Sequence, residues 1–145
     1  MKKLLFLVCV SSIMWSTCKK ENDEPVLTYF TCKIDGASFE GEMLEFPADN
    51  LVEGSLDLKF ENGNRSLIIG VIDFHGDVGT YIANWINYDN GSSNFYGDMG
   101  EVIITEINKD REFISGTFTG SCSLPAGGTE LQITEGAFVM IYYDL

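Results

Sequence analysis

The chain has 145 residues, with nine Lys and Arg against 22 Asp and Glu and a formal net charge of −13. This length predicts a single domain and leaves no room for separate cofactor and substrate domains. The acidic excess argues against nucleic-acid binding, which needs clustered Lys and Arg to neutralise phosphates. Because His75 is the only histidine, a multi-histidine metal site is excluded.

Residues 1–17 have the pattern of an export signal. A basic start precedes an apolar run over 4–10, and no acidic residue or glycine occurs before Cys18. A membrane-spanning helix needs about 20 predominantly apolar residues, whereas this run weakens early and charged residues follow Cys18 directly. The sequence therefore predicts a lipoprotein or secretory signal peptide over 1–17 that is removed from the mature chain.

Cys18 directly follows the small residues Ser16 and Thr17 at the end of this signal. A cysteine in that position resembles the lipobox, the processing site of bacterial lipoproteins, although Trp15 stands where the motif usually has an aliphatic residue. Cys9 is the rival position, but it lies within the apolar run. The resemblance implies that Cys18 is lipidated and becomes the first mature residue. Two acyl chains give stable anchoring, so we expect a protein held at the cell outer membrane by lipid.

Removal of residues 1–17 leaves seven basic residues against 22 acidic ones, a net charge of −15. Residues 18–25 are charged and nearly devoid of apolar side chains, so we expect a lipidated cysteine and a flexible acidic tether there, followed by a β domain over 26–145. The acidic residues of the tether resemble the signal that lipoproteins of the Bacteroidota carry for display on the cell surface. That resemblance implies surface exposure, while a periplasm-facing orientation stays open.

From residue 26 onward, apolar and polar residues alternate with the period of a β-strand, and glycine and asparagine interrupt the runs. Asp35-Gly36 is a preferred two-residue hairpin turn, and the continuously apolar run 67–74 predicts a central strand. Many short strands separated by turns predict an all-β fold, a single antiparallel β-sandwich or barrel-like domain of about eight or nine strands. The expected strands are 26–34, 37–44, 55–61, 67–74, 80–88, 94–96, 101–107, 112–124 and 129–143.

Short motifs recur in order along the β domain, and several place a glycine just before an aromatic residue, which predicts a bend or bulge beside a core ring. The motifs are FTCKIDG at 30–36, GTY at 79–81, GEVIIT at 100–105, ISGTF at 114–118 and ITEGAF at 133–138. Together they resemble an uncharacterised lipoprotein domain family of the Bacteroidota, over nearly the whole mature chain. The resemblance implies a small, mostly β, cell-envelope domain and brings no known activity, catalytic residue or ligand.

Cys32 and Cys122 each share a strand face with apolar residues, so both are expected in the core. A disulfide between them would close a loop of about 90 residues and stabilise the domain by about 4 kcal/mol in the chain-entropy model, and an exported compartment favours such a bridge. Two buried thiols, packed as small hydrophobic groups, are the alternative. The sequence leaves both possibilities open.

No catalytic, metal or cofactor site is predicted. His75 lies between two aspartates and could serve as a base for a nucleophilic cysteine, but its glycine-rich surroundings predict a surface turn. Oxygen-bearing side chains cluster over 89–94, yet the residue order of a calcium-binding loop is missing. We therefore expect a protein that is not an enzyme.

Five aromatic residues fall within sixteen positions and are interleaved with asparagines: Tyr81, Trp85, Tyr88, Phe95 and Tyr96. Rings beside amide and carboxylate groups are typical of glycan-binding surfaces, so the cluster is a possible ligand surface, and core packing is the alternative interpretation. Simple strand alternation predicts Tyr81 and Trp85 on one face and Tyr88 on the other.

Three function classes follow, in order of preference. The first is a non-catalytic binding or interaction domain displayed on the outer membrane, with a lipid anchor in the membrane and a glycan or protein as partner. The second is a structural or accessory component of an envelope complex. The third is a hydrolase that would use His75 or a carboxylate pair in a concave pocket.

Overall fold

A computed structural model describes residues 27–43, 46–47 and 54–143. Within these ranges the chain is all-β and contains no helix, which confirms the predicted fold class. Cys18, the tether and the signal peptide lie outside the described residues. The strands are β1 (Tyr29–Ile34), β2 (Ala37–Met43), β3 (Phe46–Pro47), β4 (Ser55–Asn62), β5 (Arg65–Ile72), β6 (Gly79–Asp89), β7 (Asn94–Asn108), β8 (Phe113–Ser123) and β9 (Glu130–Tyr143).

The sheet is an antiparallel meander that curls until its ends meet. Strands β1, β2 and β4 to β9 are neighbours in chain order, and β1 returns to pair with β9. The β2–β4 ladder is short, with two residue pairs in the described part of the chain. Strand β3 adds two parallel pairs to the end of β9. Of the two predicted architectures, the structure therefore has the barrel-like one.

Two hairpins follow the turn chemistry of the sequence. In the β1–β2 turn Asp35 and Gly36 both have positive φ, 52° and 79°, as a type I′ turn requires. In the β4–β5 turn Gly63 has positive φ (62°) and precedes Asn64, as in a type II′ turn. Both turns lie at the end of the barrel that we call the hairpin end, opposite the end at which β1 begins.

Strand alternation fills the interior with apolar side chains. On β4, Leu56, Leu58 and Phe60 are fully buried, whereas the residues between them are only partly buried. At the centre, the ring of Phe30 stacks on that of Phe60, with centroids 3.5 Å apart, and on that of Phe118, with centroids 5.3 Å apart. No polar or charged residue is buried in the described ranges. The interior is thus a packed core.

The recurring glycine and aromatic residues pair across β8 and β9. Gly116 lies opposite Phe138, and Phe118 lies opposite Gly136. A side chain at Gly136 would collide with the ring and the carbonyl of Phe118, and one at Gly116 would meet the ring of Phe138. Both rings are in the core, as the sequence pattern predicts, and each glycine makes room for the ring opposite it on the neighbouring strand.

Several expected strand boundaries are wrong, and two of the differences follow from identifiable features of the backbone. The stretches 94–96 and 101–107 belong to one strand, β7, because register shifts after Tyr96 and after Ile104 keep it paired with β8. The strand expected to reach Phe74 ends at Ile72, since Asp73 takes a left-handed conformation with φ 63°. Phe74 is still buried, and its N–H donates to the carbonyl of Gly54.

Candidate binding surface on the outer face of the sheet

The five aromatic residues of the possible ligand surface divide between the core and the outer face. Tyr88 and Phe95 are buried. Tyr81 packs partly buried against the core, and its hydroxyl donates to the carbonyl of Asp77 at 2.7 Å. Trp85 and Tyr96 lie on the outer face with exposed fractions of 37% and 49%. The structure therefore does not bring all five together, and two of them remain available to a ligand.

A β-bulge on β6 separates Tyr81 from Trp85, which alternation predicts on the same face, whereas Trp85 and Tyr88 lie on opposite faces as predicted. Gly70 pairs with Trp85 and the next residue, Val71, pairs with Ala83, so Asn84 is an extra residue on β6. The bulge inverts the phase of the strand. As a result, Ala83 is buried and Trp85 points outward. Asn84 Oδ1 accepts a hydrogen bond from the N–H of Ile72 at 2.6 Å, which ties the bulge to β5.

The indole ring of Trp85 lies over Gly70. A Cβ atom built on Gly70 would overlap the ring atoms Cε2, Cζ2 and Cδ2. On the other side of Gly70 lies Asp57 of β4. The Asp57 atom Oδ1 is shielded from solvent without a hydrogen-bond partner, and burial raises the pKa of this carboxyl. The sequence does not predict this environment for Asp57, because an acid between two leucines on a strand is typical of a solvated face.

A second shielded acceptor lies on the same face. Asn87 follows Trp85 by two residues, pairs with Ile68 of β5 and with Tyr96 of β7, and its Oδ1 has no hydrogen-bond partner. An unpaired buried acceptor costs free energy in the free protein, because its hydration is lost without compensation. We call Asp57, Gly70, Trp85, Asn87 and Tyr96 the Trp85 surface.

An exposed apolar strip continues from the Trp85 surface. Ile72 lies beside Ile82, since their neighbours Val71 and Ala83 are paired, and both are exposed. Met99, 73% exposed, belongs to the stretch of β7 between Gly97 and Glu101, which faces the bulge of β6. We call Ile72, Ile82 and Met99 the apolar strip.

The charged residues of β6 and β7 are all acidic. Between residues 72 and 108, which include β6 and β7, the chain has six acidic residues and no Lys or Arg. Asp98 and Glu101, next to the apolar strip on β7, are both exposed. The nearest cation on the same face of β4 is Lys59. Its Nζ lies 3.4 Å from Glu61 Oε1. The surface therefore carries a negative potential that no cation on β6 or β7 offsets.

Cys32 and Cys122 are separate buried thiols in the structure. Strand β9 lies between β1 and β8, and the part of β9 that faces Cys32 pairs with Phe118 of β8. Cys122 lies four residues further along β8, an offset of about 13 Å. A disulfide needs Cα atoms within about 7 Å, so this register does not form the possible disulfide. Burial raises the pKa of Cys32 to about 12 and, with a smaller contribution from Glu130, that of Cys122 to about 11.

His75 and the described cysteines do not come together, whereas two carboxylates, Asp77 and Asp110, line one groove of the structure. His75 is exposed in the loop between β5 and β6, at the end of the barrel away from the hairpin end. Cys122 lies near the hairpin end, where β8 ends. A groove of about 510 Å³ near this loop is lined by 76–78 and 107–110, without His75. A second groove, of about 350 Å³, is lined by parts of β7 and by the ends of β8 and β9, and Cys122 contributes to it only as a buried thiol.

The oxygen-rich loop at 89–94 uses its side chains to hold its own backbone. Asp89 Oδ1 accepts from the N–H of Gly91 at 2.7 Å, and Asn90 Oδ1 accepts from the N–H groups of Ser92 and Ser93, both at 2.9 Å. These are turn contacts. In the described part of the chain, no three His, Cys, Asp or Glu side chains come close enough to hold a metal ion.

Of the comparisons with protein families, curated proteins and solved structures, only the first gives a match. None of the described residues forms a helix long and apolar enough to cross a membrane. No curated protein and no solved structure matches the chain. Residues 28–142, the described barrel with its connecting segments, match a family described as Domain of unknown function (DUF6252). The chain belongs to this uncharacterised domain family.

Proposed function

We propose that this protein is an outer-membrane lipoprotein of the Bacteroidota type whose barrel is a non-catalytic binding domain, and that it binds its partner through the Trp85 surface. The observation that carries the binding role is the exposed ring of Trp85 beside two acceptor atoms, Asp57 Oδ1 and Asn87 Oδ1, that have no partner. A large ring held on the outside of a sheet whose interior is already packed is available for a ligand.

The state of the two cysteines in the described part of the chain argues against a cysteine hydrolase. Both described cysteines are buried, with pKa values of about 12 and about 11, so they are protonated at neutral pH. His75 is exposed at the far end of the barrel from Cys122. Neither cysteine is thereby positioned for attack with a histidine base.

The lipid anchor rests on the residues around Cys18, and metabolic labelling with a palmitate analogue tests it. We expect Cys18→Ala to abolish the label and release the protein from the membrane fraction, and Cys9→Ala to leave both unchanged. Equal labelling of the wild type and of Cys18→Ala would overturn the anchor. Protease treatment of intact cells then separates the two orientations, because only a surface-displayed domain is degraded before the membrane is broken.

The binding role is tested in intact cells with a photo-crosslinking amino acid. Placed at Tyr96, on the Trp85 surface, it should give a specific adduct. Placed at Glu135, an exposed residue of β9 on another part of the barrel, it should give none. Adducts of equal yield from both positions, or none from Tyr96, would overturn the assignment of the binding surface.

A structural or accessory role in an envelope complex is the second candidate, and the apolar strip favours it. Ile72, Ile82 and Met99 are all more than half exposed, and exposed contiguous apolar side chains mark interaction sites. In that case Ile82→Glu should free the protein from a complex that survives mild detergent. An unchanged complex after this substitution would remove the strip from the candidate interface.

A further inference from the structure

The Trp85 surface offers hydrogen-bond acceptors, and the cation next to it on β4, Lys59, is paired with Glu61. Asp57 Oδ1 and Asn87 Oδ1 lack donors and are shielded from solvent, while each of these two residues as a whole is partly exposed. Asn84, the remaining amide of the bulge, is already engaged with the N–H of Ile72. A ligand that complements this arrangement brings donor groups.

The ring of Trp85 and the carboxylate of Asp57 favour the same kind of donor. The face of an indole attracts a Lys or Arg head group through its quadrupole. Trp85 and Asp57 lie on either side of Gly70 in the ladder, and Gly70 has no side chain to separate them. A guanidinium or ammonium group stacked on the ring would therefore lie next to the carboxylate, where charge-assisted hydrogen bonds are strong.

The negative potential around the Trp85 surface favours a cationic ligand over a neutral one. The segment 72–108 has six acids and no Lys or Arg, and Lys59 is paired with Glu61. A neutral glycan gains nothing from this potential, whereas a basic segment is attracted over a distance set by ionic strength. A second copy of this chain, with a net charge of −15 once residues 1–17 are removed, is repelled by the same potential.

The apolar strip indicates what accompanies the cation. Ile72, Ile82 and Met99 extend the surface along β5, β6 and β7. These strands are paired with neighbours on both sides, so a partner cannot add a strand here and makes contact through side chains.

We propose that the Trp85 surface binds a basic, partly apolar peptide segment of a partner protein, with one Lys or Arg head group on the Trp85 ring and against Asp57. This inference rests on the proposed binding function and adds the class of partner. The aliphatic side chains of the same segment cover the apolar strip.

The experiment uses the protein from residue 19 onward, in which Trp85 is the sole tryptophan. The probes are an octapeptide of alternating Arg and Leu, the matching Glu and Leu octapeptide, and a neutral chito-oligosaccharide. Binding is followed by Trp85 fluorescence and by calorimetry at low and high ionic strength. We expect the basic peptide alone to bind, with an affinity that falls as salt rises.

Variants distinguish a specific contact from attraction to net charge. Asp57→Asn, which keeps the shape and removes the charge, should weaken the basic peptide about tenfold, as should Trp85→Ala. Asp110→Asn makes the same charge change in the exposed loop after β7, about 30 Å along the strand from Met99. It should alter the affinity by less than about twofold. Circular dichroism and urea unfolding confirm that each variant is folded.

The possible results separate the two proposals. Equal losses for Asp57→Asn and Asp110→Asn would overturn the specific cation site. If the oligosaccharide changes Trp85 fluorescence and the basic peptide does not, the cationic partner is overturned and the binding surface stands. If no probe binds and the crosslinker at Tyr96 gives no adduct in cells, the proposed function itself is overturned.

Discussion

The indole ring of Trp85 on β6 lies over Gly70 on β5, in the space that a side chain at Gly70 would occupy. The glycine leaves a gap in the outer face, and the ring covers it. The bulge at Asn84 adjoins this pair, so Trp85 faces outward while Ala83, two residues earlier on β6, is buried. The exposed ring is therefore held in a defined position, as a binding residue needs to be.

A double-mutant cycle tests this contact. Gly70→Ala should displace the ring, shift the Trp85 emission to longer wavelength and lower the free energy of unfolding by about 1 to 3 kcal/mol, because the new methyl group overlaps the indole. In a Trp85→Ala background, the same substitution should cost less, since the obstacle is gone and alanine restricts the unfolded chain. Urea unfolding of the four proteins measures the coupling, and strictly additive costs would contradict the contact.

Local sequence predicts much of this fold because alternation and turn residues are local. The strands around Leu56, Leu58 and Phe60 and the turn at Asp35-Gly36 are where the pattern places them. The bulge at Asn84 is different, since it arises from the pairing of β6 with β5 and no residue of β6 alone reveals it. This extra residue places Tyr81 against the core while Trp85 faces solvent. The sequence therefore predicts that the five aromatic residues are close together in the chain, but it does not predict which of them share the outer face.

The closure of the sheet and the role of Asp57 depend on distant parts of the chain. β1 and β9 are more than 90 residues apart in sequence and pair through their backbones. Asp57 lies beside Gly70 and Trp85, which are on two other strands, and its Oδ1 atom is shielded from solvent there. Alternation alone describes Asp57 as one more exposed acid between buried leucines.

The partial desolvation of the Asp57 carboxyl predicts a pH dependence of stability. Its pKa is raised in the folded state by desolvation, so the folded protein binds more protons than the unfolded one between the ordinary value of 3.8 and the raised value. The contribution of this group to stability therefore falls as pH rises through that window. Below it, the desolvation cost of the charge is absent.

Asp57→Asn should remove this contribution. We expect the free energy of unfolding of the variant, relative to the wild type, to increase as pH rises from about 3 toward neutral. Asp110→Asn, at an exposed position, serves as the matched control and should show a smaller change over the same range. Urea unfolding at several pH values measures both. A difference for Asp57→Asn that decreases with pH would contradict the assigned direction.

The two buried thiols predict a clear pattern of reactivity. At pH 8, Cys32 and Cys122 should not react with a thiol reagent in the folded protein, because their pKa values are about 12 and about 11 and both side chains are buried. In the protein from residue 19 onward, unfolding in denaturant without reductant should release two reactive thiols. A count of zero would show a disulfide and would contradict the separation of the two cysteines across β9.

The stacked rings at the centre of the barrel predict the largest cost among core substitutions. Phe118 is almost fully buried, and its ring is parallel to that of Phe30 with centroids 5.3 Å apart. Phe118→Ala should lower the free energy of unfolding by about 3 to 5 kcal/mol, through lost burial and the cavity left behind. That is a large share of the roughly 5 to 15 kcal/mol that stabilises a typical domain, so Phe118→Leu provides a milder change in the same direction.

Thr117, exposed on the same strand, is the matched control, and Thr117→Ala should change stability by less than about 1 kcal/mol. Equal costs at the two positions in urea unfolding would contradict the inward orientation of Phe118 and, with it, the phase of β8 that pairs Phe118 with Gly136.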